Sequence, residues 1–503
     1  MTALLGFITL YLLASIGIGL LAATRVKNAR DFAVAGRMLP LPVVTATVFA
    51  TWFGAEAVLG VSATFVREGL QGVVADPFGA SMCLILAGFF FASKLYRLNL
   101  LTIGDYYRLR YNHTVEWLST LAIVVSYLGW VSAQIKALGL VFFTVTGGLI
   151  PQDKGMILGA AIVLTYTVLG GMLSVAILDF VQITVIMGGL IYIASIISDL
   201  AGGVGTVISH ASAAGKLNFL PTGGYEVWVP FIGAWMTMML GSIPQQDVFQ
   251  RITSAKSERV AMAGSILGGS LYFVFAFIPM FLAYAATLID PGMFEQLLNT
   301  DSQLVLPMLI LQHTPLFAQV IFFGALLSAI MSCSSATLLA PSVSFTENIL
   351  RPMLPHISDR IFLWLMRLVI VGFAGIVLAM ALTSNASIFK MVEHAYKVTL
   401  VVAFVPLVAG FYWKRATTQG ALFAIFAGFF TWMLCEAFST GDHIWPPQIL
   451  GLMAATGGML VGSLLPQRIG RLSPPPSHHH AAEGTYHVAH HNHERPGEHD
   501  AQR

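Results

Sequence analysis

From its first residues to about position 465 the chain alternates long apolar runs with short polar connectors. Thirteen such runs stand out, at about 3–22, 40–64, 78–96, 116–148, 155–172, 174–198, 227–246, 260–288, 316–347, 363–384, 388–412, 419–437 and 446–465. A helix rises about 1.5 Å per residue, so each run is long enough to cross a hydrocarbon core of roughly 30 Å. Lipid offers the backbone no hydrogen-bond partners, which selects helices over open strands. The pattern predicts an all-α integral membrane protein with about 13 transmembrane helices. The first run, Ala3 to Ala22, has no positive region before it and no clear small-residue cleavage site after it, and is read as a helix that is kept rather than a removed leader.

An odd number of spans puts the termini on opposite sides, and the basic residues choose which. With the N-terminus outside, the inner connectors hold 17 Lys and Arg residues, from Arg25 to Arg471, against four outside: Arg67, Lys154, Lys216 and Lys390. The expected orientation is N-terminus outside and C-terminus cytoplasmic, in a cell (inner) membrane. Residues 1–465 form the transmembrane domain in this reading. From Pro466 the character changes to SPPPSHHH and HVAHHNHERPGEH, a polar, proline-marked tail expected to be disordered over 466–503. Its histidines, among them His478, His479, His480, His490, His491 and His493, either hold a transition metal weakly or are simply solvated.

Composition agrees with the pattern: hydrophobic residues make up 56% of the chain and charged residues 10%, where a soluble domain carries roughly a quarter charged. A net charge of +2 with dispersed basic residues argues against nucleic acid as a partner. Cys83, Cys333 and Cys435 lie in apolar runs and make no disulfide framework. No HExxH, GxSxG or phosphate-binding loop is present, so nothing suggests an enzyme or an organic cofactor.

Two runs carry helix breakers. The second contains ATWFGAEAVLG, with Gly54 and Gly60 around Glu56, and the seventh contains MMLGSIPQQDVFQR, with Gly241 and Pro244. They open two successive blocks of five spans, and interrupted helices at matching positions are the mark of an inverted-repeat transporter with a midplane site. The ninth run places Ser328, Ser332 and Ser335 at three- and four-residue spacing, either as oxygen ligands for a hard cation such as sodium or as serines bonded to their own backbone.

The segments DFAVAGR, ATWFGAEAVLG, TYTVLGGMLSVAILDFVQ, IPQQDVFQR and LLSAIMSCSSA, in this order, resemble the sodium/solute symporter family. The resemblance implies a LeuT-type 5+5 inverted-repeat core over about 40–198 and 227–412, and sodium-driven transport by alternating access. By motif matching it puts the sodium ligands on the carbonyls of Ala50, Phe53 and Ala329, the hydroxyl of Ser332 and the side chain of Cys333. The last is a departure, because the family has serine or threonine there and a thiol is a poor sodium ligand. Proton-coupled or uncoupled transport, or a solute sensor on the same fold, are the alternatives. The resemblance also places Asp179, with Gln182 one turn on, on the sodium exit path; the plainer reading is an acid at a helix N-terminus.

The solute is left open between a carboxylate or amino acid and a quaternary amine. Glu56, inside a span, either binds solute, orders water, relays a proton or bonds a neighbouring helix. Lys397, beside Tyr396, either pairs with Glu393 four residues earlier or meets an anionic solute. Trp52 and Trp130 resemble the aromatic pocket of the choline transporter branch, where rings hold quaternary ammonium, or else simply pack. Gln245 stands where that branch has a tryptophan. The expected solute is small, polar and organic.

Overall fold

The computed structural model describes residues 2–26, 28–354, 356–438 and 445–469. Among them there is no strand, only helices and one isolated bridge between Leu39 and Ala255. The helices are α1 (Thr2–Ala23), α2 (Ala29–Val34), α3 (Leu41–Trp52), α4 (Glu56–Glu68), α5 (Leu70–Arg97), α6 (Ile103–Arg110), α7 (His113–Val145), α8 (Gln152–Leu200), α9 (Tyr225–Gly241), α10 (Gln246–Ser254), α11 (Glu258–Ile289), α12 (Leu316–Ser344), α13 (Asp359–Thr383), α14 (Ile388–Tyr412), α15 (Thr418–Ala437) and α16 (Pro447–Leu464), with short helices between some of them. The histidine-rich tail, His478 to His499, lies outside the described residues.

Local sequence sets the helix starts. Thr102 and Asp105 form a reciprocal capping box at α6, Asn112 accepts from the Val115 amide at α7, and Ser257 accepts from Val260 at α11. Each satisfies backbone donors that have no partner within the first turn.

By length and apolarity, ten described helices can each cross a membrane, and counting the bent pairs α3/α4 and α9/α10 as one span each gives up to 12. The expected thirteenth span depends on α8. The runs at 155–172 and 174–198 form the two arms of α8, joined at Gly171 without a connector, and within these 49 residues Thr167–Leu200 is the stretch long and apolar enough to count as a span. At Gly171 α8 leaves helical geometry (φ 52°, ψ −151°) and turns. The turn is imposed from outside the helix: a Cβ at Gly171 would lie 2.5 Å from the carbonyl oxygen of Phe32 and 2.6 Å from its ring.

Phe32 belongs to the connector between α1 and α3, which is tucked into the bundle rather than looped outward. Phe32, Ala33, Val34 and Ala35 are all buried. The connector is held largely by main chain: the Leu39 amide donates to the Ser254 carbonyl (3.0 Å) and the Lys256 amide to the Leu39 carbonyl (2.9 Å), while the Gln250 side-chain amide donates to the Ala33 carbonyl (3.1 Å). The first connector is thereby tied to the second broken helix, α10.

The two expected breaks are present. The chain bends by 54° between α3 and α4 and by 45° between α9 and α10. Alpha-helical geometry ends at Phe53 (φ −86°, ψ 72°), and the chain resumes through a wide π turn over Glu56–Gly60.

Replacing Gly171 with Ala should destabilise the protein by about 1–3 kcal/mol, because only glycine holds this backbone conformation without strain and the added methyl meets Phe32. Thermal unfolding and the monodisperse fraction in detergent measure it; an unchanged melting temperature would show that the turn is not enforced there.

Candidate functional site

Breaking a helix inside a bundle leaves backbone groups that other spans must meet. At the first break the Ala55 amide donates to Gln134 Oε1 on α7 (2.9 Å), and the Ala50 carbonyl accepts from the Ser332 hydroxyl on α12 (3.1 Å). At the second break the Gly241 carbonyl accepts from Thr399 on α14 (2.7 Å), and the Asp247 amide donates to the Tyr127 hydroxyl on α7 (2.9 Å). Helix α7 therefore meets both breaks, α12 the first and α14 the second. Gly54 lets α12 close in, since a Cβ there would sit 2.8 Å from the Cys333 side chain.

Two chemically different clusters result. The first is made of oxygens. Asp179 on α8 is fully buried and accepts from the hydroxyls of Thr47 on α3 and Ser332 on α12. With the Ala50 carbonyl on Ser332, and Phe53 at the end of α3, this is a carboxylate, hydroxyl and carbonyl set that suits a hard monovalent cation. Ala329 lies on the same helix, three residues before Ser332. Asp179 is no helix N-terminal acid, because α8 runs unbroken from the turn at Gly171 past it. The other two serines face elsewhere: Ser328 bonds Tyr11 and the Gly324 carbonyl, and Ser335 donates to the Ser332 carbonyl (2.9 Å). Cys333 points away from Asp179, its thiol donating to Glu56 Oε1 (3.8 Å).

The second cluster is aromatic and acidic. Trp52 and Tyr396 stack at 5.9 Å and 13°, and Trp130 closes the group at 5.4 Å from Trp52 and 5.5 Å from Tyr396. The indoles are oriented by carboxylates: Trp52 Nε1 donates to Asp247 Oδ2 (3.1 Å) and Trp130 Nε1 to Glu56 Oε1 (3.0 Å). Tyr127 donates to the other oxygen of Asp247, and the Gln134 amide to the other oxygen of Glu56. Gln245, at the start of α10, exchanges hydrogen bonds with Ser126 and reaches Thr399. All of these side chains are buried, so the cluster is closed in this structure.

Lys397 is a correction on the pairing offered for it. It neither pairs with Glu393 nor enters the aromatic cluster; its Nζ faces Glu436 on α15 (3.6 Å), and Glu393 pairs with Lys390 instead (3.0 Å). The i,i+4 spacing allowed the first pairing, but a helix distant in sequence supplied a competing acid.

Sequence reasoning overlooked Asp247, Gln134, Tyr127, Asp76 and Arg251. The argument that selected Glu56, a carboxylate inside a span, missed Asp247 and Asp76 because they fell just outside the expected bounds of the seventh and third spans. Among the described residues no three His, Cys, Asp or Glu side chains group as a metal site.

The comparisons with known proteins agree with this architecture. The sequence model of the sodium:solute symporter family matches residues 32–428. The human high affinity choline transporter 1 is 26% identical over 443 residues, covering 85% of this chain and 75% of that protein. The sodium/proline symporter of Haemophilus influenzae is 26% identical over 483 residues, covering 91% and 93%. The solved structure of a Na+-coupled sialic acid symporter in a substrate-bound outward-open state superposes with a TM-score of 0.79 at 17% identity, covering 94% of this chain and 99% of that one. The fold is thus shared with a symporter of known structure, and the chain belongs to the sodium:solute symporter family, a multi-pass membrane transporter of LeuT-type fold that couples sodium to a small organic solute.

Proposed function

We propose that the solute is a small organic cation, a quaternary or protonated amine, held among Trp52, Trp130 and Tyr396 with Glu56 and Asp247 as its counter-charges. The observation that carries this reading is the pairing of each indole with a buried carboxylate. A ring face attracts a cation through its quadrupole, worth about 0.5–2 kcal/mol per ring, and a buried carboxylate attracts it further while repelling an anion. Lys397, the residue that would have favoured a carboxylate solute, faces Glu436 instead. The likeness to choline transporters supports the same class. Gln245 in place of the branch's tryptophan makes one wall polar, which suits a solute with a hydroxyl or carbonyl as well as a charge.

In this reading sodium binds between α3 and α12, held by the carbonyls of Ala50, Phe53 and Ala329 and the Ser332 hydroxyl, with Asp179 supplying the negative charge. Cys333 contributes through Glu56 on the solute side. Asp179 and Glu56 are joined to neighbouring positions of α12, Ser332 and Cys333, so one helix senses both occupants. The N-terminus faces outward in the cell membrane and the α8 turn at Gly171 separates two crossings; the asymmetry of basic residues supports both statements.

Proteoliposome uptake tests the ion and the solute separately. With a sodium gradient, choline-like amines should compete for uptake while proline and acetate should not; competition by acetate and none by quaternary amines would reverse the reading. Asp179→Asn should raise the sodium concentration for half-maximal uptake about tenfold or more, since hydrogen bonds to a charged group are worth roughly 1.5–3 kcal/mol. Trp130→Leu should raise the solute KM roughly threefold to thirtyfold, the loss of one ring face. Lys397→Gln should change that KM by less than about twofold, because a partly exposed ion pair is worth about 0–1 kcal/mol. A solute KM that moved with Lys397 and not with Trp130 would place the pocket elsewhere.

A further inference from the structure

Four buried carboxylates surround the two breaks, Glu56, Asp76, Asp179 and Asp247, and one buried guanidinium, Arg251, stands near them. The proposed sodium and organic cation bring two further positive charges, which leaves one carboxylate charge unmatched. An unmatched charge in a membrane interior is strongly disfavoured. The count rests on the cationic solute proposed above.

The hydrogen bonds single out the carboxylate concerned. Glu56 accepts from Trp130, Gln134 and Cys333; Asp247 accepts from Trp52 and Tyr127; Asp179 accepts from Thr47 and Ser332. Asp76, at the bend near the start of α5, accepts from Tyr272 alone, through Oδ1. Its Oδ2 is buried with no partner, in a side chain 1% exposed. An ionised carboxylate left in that state forfeits its hydration on one whole oxygen.

The groups around Asp76 do not compensate. Tyr272 faces it from α11, Glu56 acts on it across the first break, and Cys333 lies beside Glu56. The α9 residues that approach this bend at Gly79, Trp235, Met238 and Met239, are not titratable, Tyr225 and Glu226 lie at the far end of that helix, and the helix that continues from Ala80 brings only Cys83. Among the described residues no basic side chain bonds or pairs with it. Apart from its own carboxylate, the oxygen bonded to Asp76 is the Tyr272 hydroxyl, and the neighbours that face Glu56 present N–H and S–H donors, so the donor set for a sodium ion is thin here.

We propose that Asp76 is a proton-binding site, carrying a proton on Oδ2 that serves, in addition to sodium, as the last positive charge needed for transport. The proton does not replace sodium at Asp179. Glu56 links it to the solute: with the pocket unfilled, the negative Glu56 favours the proton on Asp76, and a bound cation relaxes that demand.

The test is the pH profile of sodium-driven uptake in proteoliposomes, at saturating sodium and solute. The neutral acid is the competent form, so wild-type uptake should fall by about threefold or more as pH rises and the proton is lost. Asp76→Asn, which is neutral at every pH, should remove that decline. Tyr272→Phe keeps the ring and removes the donor that favours the ionised form, so the decline should move to higher pH. A wild-type decline that persists in Asp76→Asn, or a Tyr272→Phe profile that does not move or moves to lower pH, overturns the proposal. Should Asp76→Asn be inactive, Tyr272→Phe decides alone. A flat profile in Asp76→Asn with a sodium Hill coefficient reduced from two to one would assign the site to a second sodium and overturn the proton. The profile is read with whichever solute is carried, so a failed solute class and a failed proton site give different results.

Discussion

Everything at the centre of this protein follows from one constraint: a helix interrupted in an apolar interior must have its freed backbone groups met by other helices. The amide of Ala55 goes to Gln134 and the carbonyl of Ala50 to Ser332. Those two contacts draw α7 and α12 onto the first break. The carbonyl of Gly241 and the amide of Asp247 draw α14 and α7 onto the second in the same way. The polar side chains required by the breaks are the ones left facing the sites, so repairing the backbone and building the binding chemistry are one event.

Charge follows from the same geometry. Carboxylates deep in the bundle are tolerable because each accepts from hydroxyls, indoles or amides that the breaks bring near, and, in the proposed function, because cations visit them. Ser332 and Cys333 are neighbours on α12 that serve different clusters, one bonded to Asp179 and one to Glu56. Helical geometry turns consecutive residues about 100° apart, so a single helix edge separates ion chemistry from solute chemistry. A small rotation of α12 would disturb both at once, which gives coupling a physical seat.

Much of this was legible in the sequence. Apolar runs gave the helices, Gly54, Gly241 and Pro244 gave the breaks, and the rarity of acids in spans pointed to Glu56 and Asp179. The span count was less legible. The runs at 155–172 and 174–198 meet at a turn on Gly171 with no polar connector between them. The partners were not legible at all, because they join residues far apart in the chain: Trp52 to Asp247, Trp130 to Glu56, Lys397 to Glu436. Helical spacing ranks neighbours within one helix and says nothing about which face another helix will cover. That is why Glu393 looked like the natural partner of Lys397 and was not.

The clasp between Leu39 and the end of α10 is made of main-chain atoms. Its strength is indifferent to which side chains occupy the strand-like residues on either side, but it depends on their register. Over evolutionary time this stretch is free to change its letters and not its length: one inserted or deleted residue between Gly36 and Leu39 would shift the pairing, and with it the seat of Phe32 against Gly171. The connector is thus a ruler that fixes how far the first broken helix stands from the second.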